Sequence, residues 1–194
     1  TWERQAAVRA RPIGEGSLAD SARALFDELA YRGVSESDVR DIRLLKARIE
    51  NERLPRGIEP ARHVKLGPGG LTDVEWTIQL IQMRAGMNNP ALRTPSTTQA
   101  ILSARENALI SAQDAQTLLD AWDMATRIRA ANTLASGRMS GVKLDVLPRD
   151  SADLRALAAI LGYGSGGLNA LEDDWLRAGR KARAVMERLF WEQQ

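Results

Sequence analysis

Residues 65–76 read Lys-Leu-Gly-Pro-Gly-Gly-Leu-Thr-Asp-Val-Glu-Trp, the densest group of chemically capable residues in the sequence. Lys65 supplies a cation, and Gly67, Gly69 and Gly70 let backbone amides come close to a ligand or to another helix. Asp73 and Glu75 fall in the first turns of an apolar helix, where the macrodipole favours negative charge. One reading is a phosphate or nucleotide contact, because successive glycine amides at a helix N-terminus form an anion site that Lys65 completes. The other is a tight packing turn, which physics alone favours. Lys65 precedes the glycines and no Lys-Ser/Thr follows them, so the segment is not a P-loop. It lacks the strand-helix-strand context of a dinucleotide fingerprint.

Asp73 and Glu75 resemble a metal pair only on paper. Two steps of about 100° place them about 200° apart round a helix, so they cannot both reach one ion. Each is expected to fix a different neighbour, by accepting a hydrogen bond or pairing with an arginine at a domain junction. Their role is therefore read as structural.

Other groups carry less. Gly16-Ser17-Leu18-Ala19-Asp20-Ser21-Ala22 superficially matches the Gly-Ser-x-x-Asp-x-Asp signature of nucleotidyltransferases. Two-metal phosphoryl transfer needs a second carboxylate, and position 22 is alanine, so Asp20 reads as an exposed first-turn acid. His63 is the only histidine, which rules out a His-based metal site or a Ser-His-Asp arrangement within the chain. Arg4, Arg9 and Arg11 on the opening helix, and Arg40, Arg43, Lys46 and Arg53 on the third, are cations of the kind that grip phosphates, although most such charges line solvated faces. The glycine-rich run Gly162–Gly167 joins two helices as a connector. No catalytic residue and no metal ligand is assigned within the chain.

The elements that must position these residues are helices. Periodicity and capping residues place about eight, in an all-α bundle, with a short extended piece at His63–Leu66 as the one competitor. The opening helix spans 1–11 as a junction, Ser17 starts a helix to Ala30, and Ser35 or Ser37 starts one to about Arg53. The helix from Leu71 to about Met87 carries two apolar stripes, Leu71, Val74, Ile78, Ile81, Ala85 and Trp76, Leu80, Met83, Met87. A helix apolar on two sides is a central one. Ser96 and Ser111 cap helices to about Asn107 and Ala135, residues 137–149 form an exposed loop, and Asp150 caps a helix to Leu161. The last helix keeps a seam at Leu168, Leu171, Trp175, Ala178, Ala182, Val185 and Leu189.

Composition narrows the class. At 194 residues, 44% hydrophobic and 27% charged, the chain suits a single soluble globular domain. The pI of about 9.3 suggests nucleic acid, yet 27 basic against 25 acidic residues leave a net charge of only +2. With one histidine and no cysteine, little titrates near neutrality, so a small basic excess carries the pI far up. Aromatics are few and lie on core stripes, against a nucleic-acid module. No apolar run is long enough to span a membrane. The absence of cysteine excludes disulfides and thiolate chemistry and is compatible with the cytoplasm. The sequence opens at Thr1 already helical and without an initiator Met, which leads to the expectation of an N-terminal neighbour.

Lys65, Gly67, Gly69, Gly70, Leu71, Asp73, Val74, Glu75 and Trp76 match, position by position, the pattern Lys-x-Gly-x-Gly-Gly-Ile/Leu-x-Asp/Glu-Ile/Val-Glu-Phe/Trp. On these residues the chain resembles the helical domain of glutamine synthetase adenylyltransferases. Trp2-Glu3 with Arg9-Ala10-Arg11 is similar to that family's junction segment. Leu92-Arg93-Thr94 with Ser96, and Ala184–Phe190, are similar to actinobacterial-type members. The resemblance covers essentially the whole chain. It implies part of a cytoplasmic bacterial enzyme of nitrogen control, one that transfers AMP from ATP to a tyrosine of glutamine synthetase and removes it by phosphorolysis. It further implies an upstream nucleotidyltransferase core with paired aspartates holding magnesium, and glutamine synthetase and a PII-type signal protein as partners. Mg and ATP would belong to the full-length enzyme, with neither expected on this chain alone. Because the chain stops soon after its last helix, the C-terminal, adenylylating half is the expected location. Arg9, Arg11 and Lys65, with Gly67, Gly69 and Gly70, become candidates for contact with nucleotide or core, and the chain alone is expected to be inactive. A PII-type docking module without nucleotide contact and an unrelated helical scaffold are the alternatives.

Overall fold

Four helices begin where a side chain closes their first turn. Ser35 accepts from the Asp38 amide while Asp38 accepts from the Ser35 amide, a reciprocal capping box. Ser96, Ser111 and Asp150 accept from amides one turn ahead in the same way. The computed structural model describes residues 2–164 and 167–192, and among them lie eight α-helices and no strand. They are α1 (Trp2–Ala7), α2 (Ser17–Tyr31), α3 (Glu36–Arg53), α4 (Leu71–Ala85), α5 (Thr97–Glu106), α6 (Ala112–Ser136), α7 (Ser151–Ile160) and α8 (Leu168–Met186), the last running into a π-helical turn, Glu187–Trp191. The all-α expectation holds. No helix among the described residues is long and apolar enough to cross a membrane.

α4 lies at the centre because its residues enter three apolar clusters. Leu71 packs with Ile128, Leu157 and Trp175; Val74 and Ile78 pack with Ile101, Leu118 and Val185; Leu80 and Met83 pack with Tyr31, Ile42 and Phe190. Its polar strips are buried as well, including Asp73, Thr77, Gln79 and Gln82. Gln82 satisfies itself by donating to the carbonyls of Leu92 (2.6 Å) and Thr94 (2.8 Å), as a buried amide must. The helix ends at Ala85 rather than Met87, and Met87 is exposed.

α2 is different. Only Ala30 and Tyr31 of its 15 residues are buried, and Leu18 and Leu25 stand exposed with Ile13 before them.

Three expectations need correction. The opening helix stops at Ala7, because the amides of Val8, Arg9 and Ala10 reach back only three residues and Arg11 precedes a proline. Arg9 and Arg11 therefore lie beyond the helix. The 137–149 loop is exposed only in its first part; its second holds Leu144 and Leu147 buried. There the Val64 amide donates to Asp145 O and the Leu147 amide to Arg62 O, both at 2.8 Å, flanking a His63–Val146 antiparallel bridge. Finally, Arg4 and Lys46 do not lie on solvated faces but are buried. Within the Gly162–Gly167 connector, Ser165 and Gly166 lie outside the described residues, as does Thr1.

Candidate functional site

The glycine turn is closed upon itself. The Gly67 amide donates to His63 O (2.8 Å), Gly70 to Gly67 O (2.9 Å), Leu71 to Val64 O (2.9 Å) and Thr72 to Lys65 O (3.0 Å). The Gly69 amide donates to Asp73 Oδ2 at 2.8 Å. The amides that would cradle a phosphate are thus engaged within the chain. The glycines answer a packing demand instead: a Cβ on Gly67 would stand 2.0 Å from Pro60 O, and one on Gly69, whose φ is +71°, 1.9 Å from Gly179 O on α8. Only glycine permits both that φ and that approach.

Asp73 receives three donors at 1% exposure. Lys46 Nζ lies 2.6 Å from Oδ1, and Oδ2 accepts from the Gly69 amide and from Arg183 Nη1 (3.1 Å). Glu50 completes the centre, 2.7 Å from Lys46 Nζ and 2.9 Å from Arg183 Nη1. Two cations from α3 and α8 thus face two carboxylates from α3 and α4 at the meeting of three helices, and Arg183 Nε also pairs with the more exposed Glu187 at 3.1 Å. Burial pushes the Glu50 carboxyl up, but the bonds from Lys46 and Arg183 outweigh it and hold it below the usual carboxylate range. Burial pulls Arg183 down, and Asp73 and Glu50 reverse that, raising it above an ordinary guanidinium.

Glu75 turns to the opposite strip of α4 and pairs with Arg9, which is about half exposed. The two carboxylates address different partners. Lys65 is partly buried, and its ammonium makes no ion pair among the described residues; Arg11 is exposed. His63 is 2% exposed and its Nδ1 accepts from the Leu66 amide at 3.1 Å; burial lowers its pKa. Among the described residues no group of three or more His, Cys, Asp and Glu side chains could hold a metal ion.

Sequence reasoning missed Lys46, Arg62 and Arg183 as partners. Lys46 did carry a signal, since Val39, Ile42 and Lys46 follow steps of three and four on one face, and all three are buried. Arg62 donates to Leu147 O (3.1 Å) and Pro148 O (2.5 Å) and pairs with Glu172, tying the late loop to α8 beside the glycine turn. Nothing in its neighbourhood marks it. Arg183 sits among the basic residues at the end of α8 and looks like any dipole-complementing charge.

Fold and site define an all-α domain organised on a central helix, with a glycine turn docked onto α8 and a buried ionic centre beneath it. The sequence pattern of the GlnD PII-uridylyltransferase family matches residues 43–190, and the chain belongs to that family. It is 45% identical over 192 residues to a bifunctional glutamine synthetase adenylyltransferase/adenylyl-removing enzyme of Leifsonia xyli, matching 98% of this chain and 19% of that protein. Enzymes of the same name from Streptomyces coelicolor (46% over 193 residues; 98% of this chain, 19% of that one) and Cutibacterium acnes (42% over 196; 100% and 20%) are similarly close. The chain spans about a fifth of the length of these relatives.

Proposed function

We propose that this chain is the helical, positioning part of an enzyme that transfers AMP from ATP to glutamine synthetase and removes it again, and that the reacting groups lie in a preceding nucleotidyltransferase core. The carrying observation is Asp73. A carboxylate held on both oxygens by Lys46, Arg183 and a backbone amide, at 1% exposure, is closed to a substrate. A carboxylate already paired with two cations does not fit magnesium; Mg and ATP belong in this reading to the core. Glutamine synthetase is the partner on the strength of the relatives' names, and a PII-type protein is a proposed regulator on the strength of the family's. Lys65 and Arg11 keep cationic faces that can meet nucleotide or core.

In the full-length enzyme, Asp73→Asn should lower the melting temperature and both activities together. Loss of activity at an unchanged melting temperature would give Asp73 a direct chemical role and overturn the reading. The chain by itself should transfer no AMP from ATP to glutamine synthetase, and transfer by the chain alone would equally overturn it.

A further inference from the structure

The segment carrying α1 is gripped by side chains out of proportion to its length. Arg4 Nε donates to Leu29 O at 3.0 Å, its guanidinium also reaches Gly33 O, and Nη1 lies 3.2 Å from Asp38. It thereby closes the carbonyl end of α2 and touches the capping box of α3. Ala7 and Val8 enter the apolar cluster of Tyr31, Ile42 and Leu80. Gln5 Nε2 donates to Gln79 Oε1 at 2.9 Å in a buried contact, and Arg9 pairs with Glu75. Gln5 and Arg9 are four residues apart, as are Glu75 and Gln79, and the earlier residue of each segment meets the later residue of the other. Two points of attachment with that reversed order fix both the position and the direction of the segment along α4. Residues 2–42 also lie outside the match to the wider family, whereas Glu75 and Gln79 lie inside it.

We infer that the Arg9–Glu75 pair, with Gln5–Gln79, is a latch that sets the orientation of the polypeptide preceding α1 against the central helix. Arg9 is then a positioning residue for AMP transfer and does not contact the triphosphate. This rests on the function proposed above. The pair suits the role because Arg9 remains about half open to solvent, so the latch can be broken without unfolding the domain. Orientation matters because a displacement on the order of 1 Å at reacting atoms can cost about a hundredfold in rate.

The test is a charge exchange in the full-length enzyme. Arg9→Glu and Glu75→Arg should each lower turnover at saturating substrates by about tenfold, with the ATP KM and the melting temperature unchanged. The double variant R9E/E75R should recover most of the turnover. A double variant as slow as the singles, with a raised ATP KM in Arg9→Glu, would place Arg9 on the nucleotide and overturn the latch. Unchanged turnover in Arg9→Glu would overturn it too. If the unaltered full-length enzyme transfers no AMP to glutamine synthetase, the proposed function fails instead.

Discussion

Lys46 Nζ lies 2.6 Å from Asp73 Oδ1, with 0% and 1% of the two side chains exposed. An ammonium with no access to water depends entirely on the acceptors the fold supplies, here Asp73 and Glu50. Replacing Lys46 by Met leaves Asp73 buried with one cation fewer, and breaking such a pair costs about 3–5 kcal/mol. The double variant Lys46→Met/Asp73→Leu should lose less than the sum of the single losses, because no uncompensated charge remains from that pair. Urea denaturation of the four proteins measures the coupling; strict additivity would mean that the pair does not act as a unit.

The glycines separate strain from collision. Gly69 and Gly137 both have positive φ, +71° and +65°, but a Cβ on Gly137 would meet nothing within 4 Å. Gly137→Ala should therefore cost only the left-handed penalty of about 1–2 kcal/mol. Gly69→Ala adds an overlap with the backbone of Gly179, and overpacking alone costs a further ~1–3 kcal/mol. Thermal melts of the two variants should rank in that order, and equal losses would show that α8 yields freely at Gly179.

Acid should destabilise the fold in two stages. Burial holds His63 below its ordinary 6.5, so protonation favours the unfolded chain. Its contribution is complete above about 6.5 and declines as pH falls toward the folded value. Glu50 is depressed below its ordinary 4.5, so its contribution is complete above that pH and is lost as pH falls through its lower folded value. His63→Asn, which keeps an acceptor near the Leu66 amide, should flatten the first stage and leave the second. A pH series of unfolding free energies for both proteins checks this; an unchanged slope just below pH 6.5 in the variant would remove His63 from the account.

Much of this was legible in the sequence because its determinants are local. The starts of α3, α5, α6 and α7 follow from Ser35, Ser96, Ser111 and Asp150, whose side chains reach only one turn ahead. The central place of α4 follows from its two apolar stripes. The early end of α1 was less visible, because Trp2–Arg11 has helical composition throughout and the break comes from Pro12 and from docking of Ala7 and Val8.

By itself the sequence determined the all-α class, the central helix, and the fact that Asp73 and Glu75 face apart, since helical pitch alone fixes that angle. Only the tertiary structure decided what each carboxylate meets. Lys46, Asp73 and Arg183 are separated by 27 and 110 residues along the chain. No local preference brings them together; the packing of α3, α4 and α8 does. The glycine turn shows the same division: its flexibility is written in Gly67, Gly69 and Gly70, but the need for it comes from the backbones of Pro60 and Gly179 that lie against it.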